Sequence, residues 1–128
     1  MLVSKINDEF VSLKWVDLIH EGRFRDGSQW CFMGISGWAF VRVWIYNTMP
    51  DVGFVTDFSV VDERRNMGIG TAMLECVEVH ARSKGIKVIR LEVDADDESA
   101  KEFYRKRDYA ETSDSGENPG YREVGKEL

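Results

Sequence analysis

A helix that begins with glycines beside arginines can hold an anion, and one segment reads Arg64-Arg65-Asn66-Met67-Gly68-Ile69-Gly70-Thr71. The first amide N–H groups of a helix have no partner inside it and point outward with the positive end of its dipole. Gly68 and Gly70 clear side chains from that end, so a phosphate could approach the backbone closely. Arg64 and Arg65 add charge next to it. The same glycines would also serve a tight strand-to-helix turn with no ligand, and on these residues alone both readings stand. Neither common nucleotide loop fits. Gly70 is followed by Thr71 with no lysine, unlike a P-loop. A dinucleotide fingerprint needs three glycines after the first strand of a parallel sheet.

The remaining reactive residue types say less. The run Asp94-Ala95-Asp96-Asp97-Glu98 invites a cation, but it lacks the glycine and distal glutamate of a calcium loop. Acids at a helix start are accounted for by the dipole, so no metal is expected. Cys31 and Cys76 lie far apart and form no Cys-x-x-Cys pair. They read as reduced, buried small side chains of a cytoplasmic protein. Neither has a His or Asp beside it, and neither reads as a nucleophile. His20 and His80 read as structural.

These groups must be positioned by a short series of elements. Val11, Trp15, Leu18 and Ile19 recur at helical spacing, predicting a helix over residues 8–21 ended by Gly22. Residues 24–29 read as a loop. Residues 30–35, 38–46 and 52–61 are rich in β-branched and aromatic types and predict an antiparallel three-strand meander. A second helix is expected over 68–84, with Gly85 as its cap, then a strand over 86–93. A third helix is expected over 98–107, where Ser99 and Glu102 have the spacing of a capping box. Strands over 109–112 and 121–128, separated by a polar turn at 113–120, complete the chain. This order describes one mixed α+β domain.

With 128 residues, 43% hydrophobic and 12% aromatic, the chain can build a packed core without metals or disulfides. Seventeen basic against 23 acidic residues give a net charge of −6. That argues against nucleic acid or an anionic membrane as partner, because phosphate surfaces are bound by Lys and Arg. No apolar run approaches the roughly 20 residues of a membrane span. The amino-terminal residues lack a secretory pattern, so a cytoplasmic location is expected.

Taken in order, the segments resemble the GNAT acetyltransferase superfamily. Arg65-Asn66-Met67-Gly68-Ile69-Gly70 is similar to the family's Arg/Gln-x-x-Gly-x-Gly/Ala pyrophosphate loop. It follows a strand ending Asp57-Phe58-Ser59-Val60 and precedes a helix of the right length. The stretch from Asp97 through Ala100, Phe103 and Tyr104 to Tyr109 resembles Asn-x-x-Ala-x-x-Leu-Tyr-x-Lys-x-Gly-Phe. Leu91-Glu92-Val93 is similar to members that acetylate protein amino termini. The likeness is firm over about 52–109, the core for the cofactor, with 1–29 a short amino-terminal region.

The resemblance implies a central mixed sheet, its antiparallel meander splayed from the later strand and flanked by helices. It implies acetyl-CoA as co-substrate: Phe58, Ser59 and Val60 along the pantetheine arm, with a backbone N–H near Val60 facing the thioester carbonyl. Arg65, Asn66, Met67, Gly68, Ile69, Gly70 and Thr71 would lie around the pyrophosphate, and Asp97 near the cofactor. Tyr104 is implied as the acid that protonates the leaving thiolate and Glu92 as the base that takes the amine's proton. The expected activity is N-acetylation of a primary amine by direct attack in a ternary complex. The acceptor would be a small molecule, a protein amino terminus or a lysine. A non-catalytic acyl-CoA-binding module and a transferase of another acyl group are the alternatives. Asp97 stands where many members have Asn, and Arg107-Asp108-Tyr109 replaces x-Gly-Phe. The short region before Trp30 implies an acceptor side that is open or completed by a second copy in a homodimer.

Overall fold

Two-residue alternation sets the central strands. In β5 (Ala39–Tyr46), Ala39, Val41 and Val43 are buried while Phe40, Arg42 and Trp44 are only half-buried. In β7 (Val88–Asp94), Ile89, Leu91 and Val93 are buried and Glu92 and Asp94 exposed. Such alternation is what one face against a core requires. That core face is covered by α1 (Ile69–Ser83), whose Ile69, Met73, Val77 and Ala81 recur every fourth residue and are at most 1% exposed. Burial of each large aliphatic side chain there stabilises the fold by roughly 1.5–3 kcal/mol.

The computed structural model describes residues 2–6, 9–13, 20–33, 39–60, 68–112 and 119–128. Besides these three elements they form β1 (Leu2–Ile6), β2 (Glu9–Leu13), β3 (His20–Arg23), β4 (Gly27–Met33), β6 (Val52–Val60), α2 (Glu98–Arg105), β8 (Ala110–Glu111) and β9 (Tyr121–Glu127). Seven strands make one sheet in the order β3-β4-β5-β6-β7-β9-β8, and β1 and β2 form a separate hairpin. Within the large sheet only β6 and β7 pair in parallel. The crossover between them is α1, as parallel neighbours require. No helix among the described residues is long and apolar enough to cross a membrane.

The helix expected over 8–21 is corrected. Glu9–Leu13 pairs antiparallel with Leu2–Ile6, and His20–Arg23 pairs antiparallel with β4. Phe10 and Val11 favour strands, and Val11 and Leu13 also fit a spacing of two, so the short pattern suited both periods. Residues 14–19, which carry the rest of the helical spacing, lie outside the described residues. The loop expected over 24–29 shrinks to 24–26, because β4 begins at Gly27. A side chain there would collide with the Ile45 carbonyl oxygen, 2.2 Å from an ideal Cβ. The other central elements match the sequence expectation within about two residues.

One extra residue shapes the sheet. Val43 pairs with Val55 but Arg42 pairs with Asp57, so Thr56 is a bulge in β6. The parallel ladder between β6 and β7 ends at Val55 and Leu91. Beyond it β6 stays with β5, whereas β7 continues beside β9 to Asp94 opposite Tyr121. The two halves of the sheet therefore part, since a bulge bends and twists its strand.

Both helices end in the same six-residue cap. At α1, Gly85 N–H donates to the Arg82 carbonyl and Ile86 N–H to the Ala81 carbonyl. At α2, Asp108 N–H donates to the Arg105 carbonyl and Tyr109 N–H to the Tyr104 carbonyl. This is the Schellman pattern, with a left-handed residue at its turn: Gly85 at φ 78° and Asp108 at φ 69°. Asp tolerates that conformation less readily than Gly. Asp108→Gly is expected to raise the unfolding free energy by about 1 kcal/mol, and Gly85→Asp to lower it by a similar amount. No atom lies within 4 Å of a Cβ built at Gly85, so the loss would be purely conformational. Urea unfolding of both variants checks this, and a lower midpoint for Asp108→Gly would refute the cap's strain.

Candidate active site

Between the parted strands lies a cleft of about 660 Å³, walled by the end of β6, the start of α1 and the inner side of α2. Phe58, Ser59 and Val60 line it from β6. Across the bulge the register carries Phe58 opposite the buried Val41 and Val60 opposite Ala39, so both sit on the α1 face. Beyond Val55 this strand has no ladder partner in β7, which leaves one of its edges turned to the cleft.

Gly68, Ile69, Gly70 and Thr71 line the next wall. Gly68 takes φ 81° as the residue before α1, a conformation that suits glycine. The first intrahelical bond runs from Ala72 N–H to the Gly68 carbonyl, so the amides of Ile69, Gly70 and Thr71 precede the ladder. The helix carries no side-chain cap and no acid in its first turn, leaving its positive end uncompensated by its own residues. Ile69 is itself core, 1% exposed, and can offer the cleft only backbone. A Cβ at Gly70 would lie 3.3 Å from the Phe103 ring, so glycine here also permits α2 to approach.

From α2, Asp97 and Tyr104 reach the same cleft. Asp97 caps its own helix: Oδ1 accepts from Ala100 N–H at 2.9 Å. The capping box expected at Ser99 and Glu102 is therefore replaced by a cap two residues earlier. Tyr104 is 7% exposed and packs edge-on against Phe58, Phe103 and Tyr109 at 5.1–6.1 Å between ring centroids. Burial pushes its phenol up to about 12, with the Asp97 charge adding to the rise and Arg107 opposing it. The hydroxyl is thus protonated at neutral pH, and it makes no hydrogen bond among the described residues.

Glu92 is placed elsewhere. It is exposed on β7, between the inward Leu91 and Val93 and opposite Glu123 of β9. It does not line the cleft, and it occupies the face of the sheet away from Tyr104's wall. Arg65, Asn66 and Met67 fall outside the described residues, as does Arg64. Four lining residues escaped the sequence reading as site residues: Ser99, Ala100, Phe103 and Arg107. The i, i+4 spacing of Phe103 and Arg107 was the available signal, since a helix over 98–107, as expected from the sequence, puts both on one side.

A buried network fixes α2's end against α1 and β9. Glu78, 6% exposed on α1, accepts from the Tyr109 hydroxyl at 3.0 Å and from Lys126 Nζ at 2.7 Å. His80 is half-buried, its ring edge-on to Trp30 at 4.7 Å. Cys31 and Cys76 are free thiols, and burial pushes Cys76 up to about 12, which keeps it protonated. Among the described residues no three His, Cys, Asp or Glu side chains converge to hold a metal.

Known proteins share this fold. Residues 15–109 match the profile of the family described as acetyltransferase (GNAT) family. Among solved structures, the GNAT domain of PAT from S. lividans is 23% identical with TM-score 0.66, covering 84% of this chain and 64% of that one. The ribosomal-protein-S18-alanine N-acetyltransferase of Escherichia coli is 16% identical with TM-score 0.64, covering 83% and 72%. PaiA N-acetyltransferase from Thermoplasma acidophilum, solved with coenzyme A, is 18% identical with TM-score 0.66, covering 80% and 62%. Among curated proteins no sequence match is found.

The buried phenol has a stability consequence. Tyr104 ionises near 10 in an unfolded chain and near 12 in the fold. A raised acid contributes stability that is full below pH 10 and is lost as pH rises toward 12. The stability difference between wild type and Tyr104→Phe should stay constant from pH 7 to about 9.5 and then shift against wild type. Urea midpoints across that range measure it; parallel curves to pH 11.5 would contradict the burial of a neutral phenol.

Proposed function

Because the chain belongs to the acetyltransferase (GNAT) family, we propose that it transfers an acetyl group from acetyl-CoA to a primary amine by direct attack in a ternary complex. The observation that carries this reading is the cleft itself, with an uncapped helix start and a buried, protonated phenol on its walls. Its lining runs from Phe58, Ser59 and Val60 to the start of α1, which suits an extended cofactor arm whose diphosphate meets the amides of Gly68, Ile69, Gly70 and Thr71. The pantetheine would run beside Phe58, Ser59 and Val60, pairing with the strand edge that β7 vacates. That a similar fold was solved with coenzyme A supports the same occupant here.

The chemistry follows from that pose. An amine is mostly an ammonium ion at neutral pH, with a pKa of about 8 to 10, and must lose a proton before it attacks. Its nitrogen then adds to the thioester carbonyl, and negative charge collects on the carbonyl oxygen, where a backbone N–H of the bulged strand can stabilise it. Collapse breaks the carbon–sulfur bond, and the Tyr104 hydroxyl gives its proton to the departing thiolate. The products are an N-acetylated amine and CoA thiol, with no acyl-enzyme step; the protonated Cys76 is poorly suited to form one.

Glu92 enters from the opposite face. We assign it the collection of the amine's proton, directly or through water, for an acceptor approaching through the gap between β6 and β7. Exposed acids on that face of β7, Glu92 and Asp94, favour a cationic acceptor. A protein amino terminus, a lysine or a small amine all meet that description.

A thiol-release assay with acetyl-CoA and a panel of amines tests this. Tyr104→Phe should lower kcat by about 10²-fold with little change in KM for acetyl-CoA, while Glu92→Gln should lower the rate at neutral pH and leave it rising more steeply with pH, as more of the amine is already unprotonated. Acetyl-CoA binding with no turnover of any amine would instead support a non-catalytic acyl-CoA-binding module. A full rate in Tyr104→Phe would remove the acid role.

A further inference from the structure

Arg107 is held in the cleft wall more firmly than a surface arginine needs to be. Its guanidinium lies 3.8 Å over the Phe103 ring, and Nη1 donates to the Phe103 carbonyl at 2.7 Å. Nε donates to Thr71 Oγ1 at 3.1 Å, and Nη2 donates to the same oxygen. Stacking and hydrogen bonds together fix the plane of the group.

Two helix ends meet at this position: the Phe103 carbonyl belongs to the last turn of α2, which favours a cation. Thr71 belongs to the first turn of α1, where the helix presents positive charge that repels a cation. Neither an acid in that turn nor a capping side chain offsets it. Among the described lining residues Arg107 is the one cation and Asp97 the one anion, and Asp97 is committed through Oδ1 to capping α2. A guanidinium has five N–H donors. Three are accounted for here, and two remain on the same rigid fork, a geometry suited to phosphate oxygens.

We infer that Arg107 is a specificity-determining residue of the cleft, one that anchors a phosphate of the acyl-CoA and is positioned for it by Phe103 and Thr71. The inference rests on the acyl-CoA reading of the cleft. It adds that the site distinguishes a full acyl-CoA from a phosphate-free acyl-pantetheine largely through this side chain. An anion bound there would neutralise both the guanidinium and the start of α1, converting a repulsive pair into a joint binding site.

The test compares acetyl-CoA with acetyl-pantetheine by calorimetry on wild type, Arg107→Gln and Arg107→Lys. Gln keeps a donor for Thr71 without the charge, which guards against collapse of the wall, and a melting curve without ligand verifies folding. Arg107→Gln should weaken acetyl-CoA by about 10- to 100-fold and leave acetyl-pantetheine within about twofold. It should also reduce the salt dependence of acetyl-CoA binding, and Arg107→Lys should recover part of the loss. Equal losses for both thioesters would mean that Arg107 only braces the wall, and an unchanged acetyl-CoA affinity would mean that it does not meet phosphate; either overturns the inference. Wild type that binds neither thioester would overturn the acyl-CoA reading, and this inference with it.

Discussion

Thr56 is the residue on which the cleft depends. A parallel ladder between β6 and β7 would otherwise continue along both strands and close the sheet. The extra residue breaks the match after Val55 and Leu91, and each strand then keeps only its outer neighbour. The result is a wedge whose floor is packed core and whose walls are a strand edge and two helices. Of the described residues assigned to the site, all but Glu92 lie on those walls. Arg42 and Asp57, paired at 2.9 Å across the first register position past the bulge, sit half-exposed in solvent and contribute less than the packing beneath.

The walls hold their spacing through interactions made away from the cleft. Glu78 ties Tyr109 to Lys126 in the interior, joining α1, the end of α2 and β9 at one buried carboxylate. A buried acid is tolerated only when its oxygens are met by donors, and here a phenol and an ammonium do so. Tyr109 also follows Asp108 in the cap of α2 and packs against Tyr104. The rotamer of the proposed acid is thus constrained by the same aromatic group that anchors its helix. Phe58 and Phe103 complete that packing from the cleft side, so the Tyr104 hydroxyl rests on a rigid aromatic cluster.

Charge is distributed in keeping with the proposed chemistry. The net −6 is carried in part by exposed acids of β7 and the turn into α2, Glu92, Asp94, Asp96 and Glu98. The helix start and Arg107 make the opposite end of the cleft positive. An anionic cofactor and a cationic acceptor would each meet the complementary sign, one on either side of the sheet.

Much of this was legible in the chain. Gly68 and Gly70 marked the helix start, the alternation in residues 39–46 and 88–94 marked the central strands, and both Tyr104 and Asp97, singled out by their motif, line the cleft. The first helix was misread because a short apolar series can satisfy both periods until its neighbours choose one. Arg107 went unnoticed as a site residue because its partner, Thr71, is 36 residues away, and spacing within α2 reports only which side a residue faces. Local order is written in nearest-neighbour preferences and periodicity, so the sequence by itself determined the type of the central elements, the Gly85 cap and the glycine turn into α1. The bulge at Thr56, the separation of Glu92 from Tyr104 by the sheet, and the junction of Arg107 with α1 were decided only by tertiary structure. They arise from register and packing between segments distant in the chain, and no local pattern carries that information.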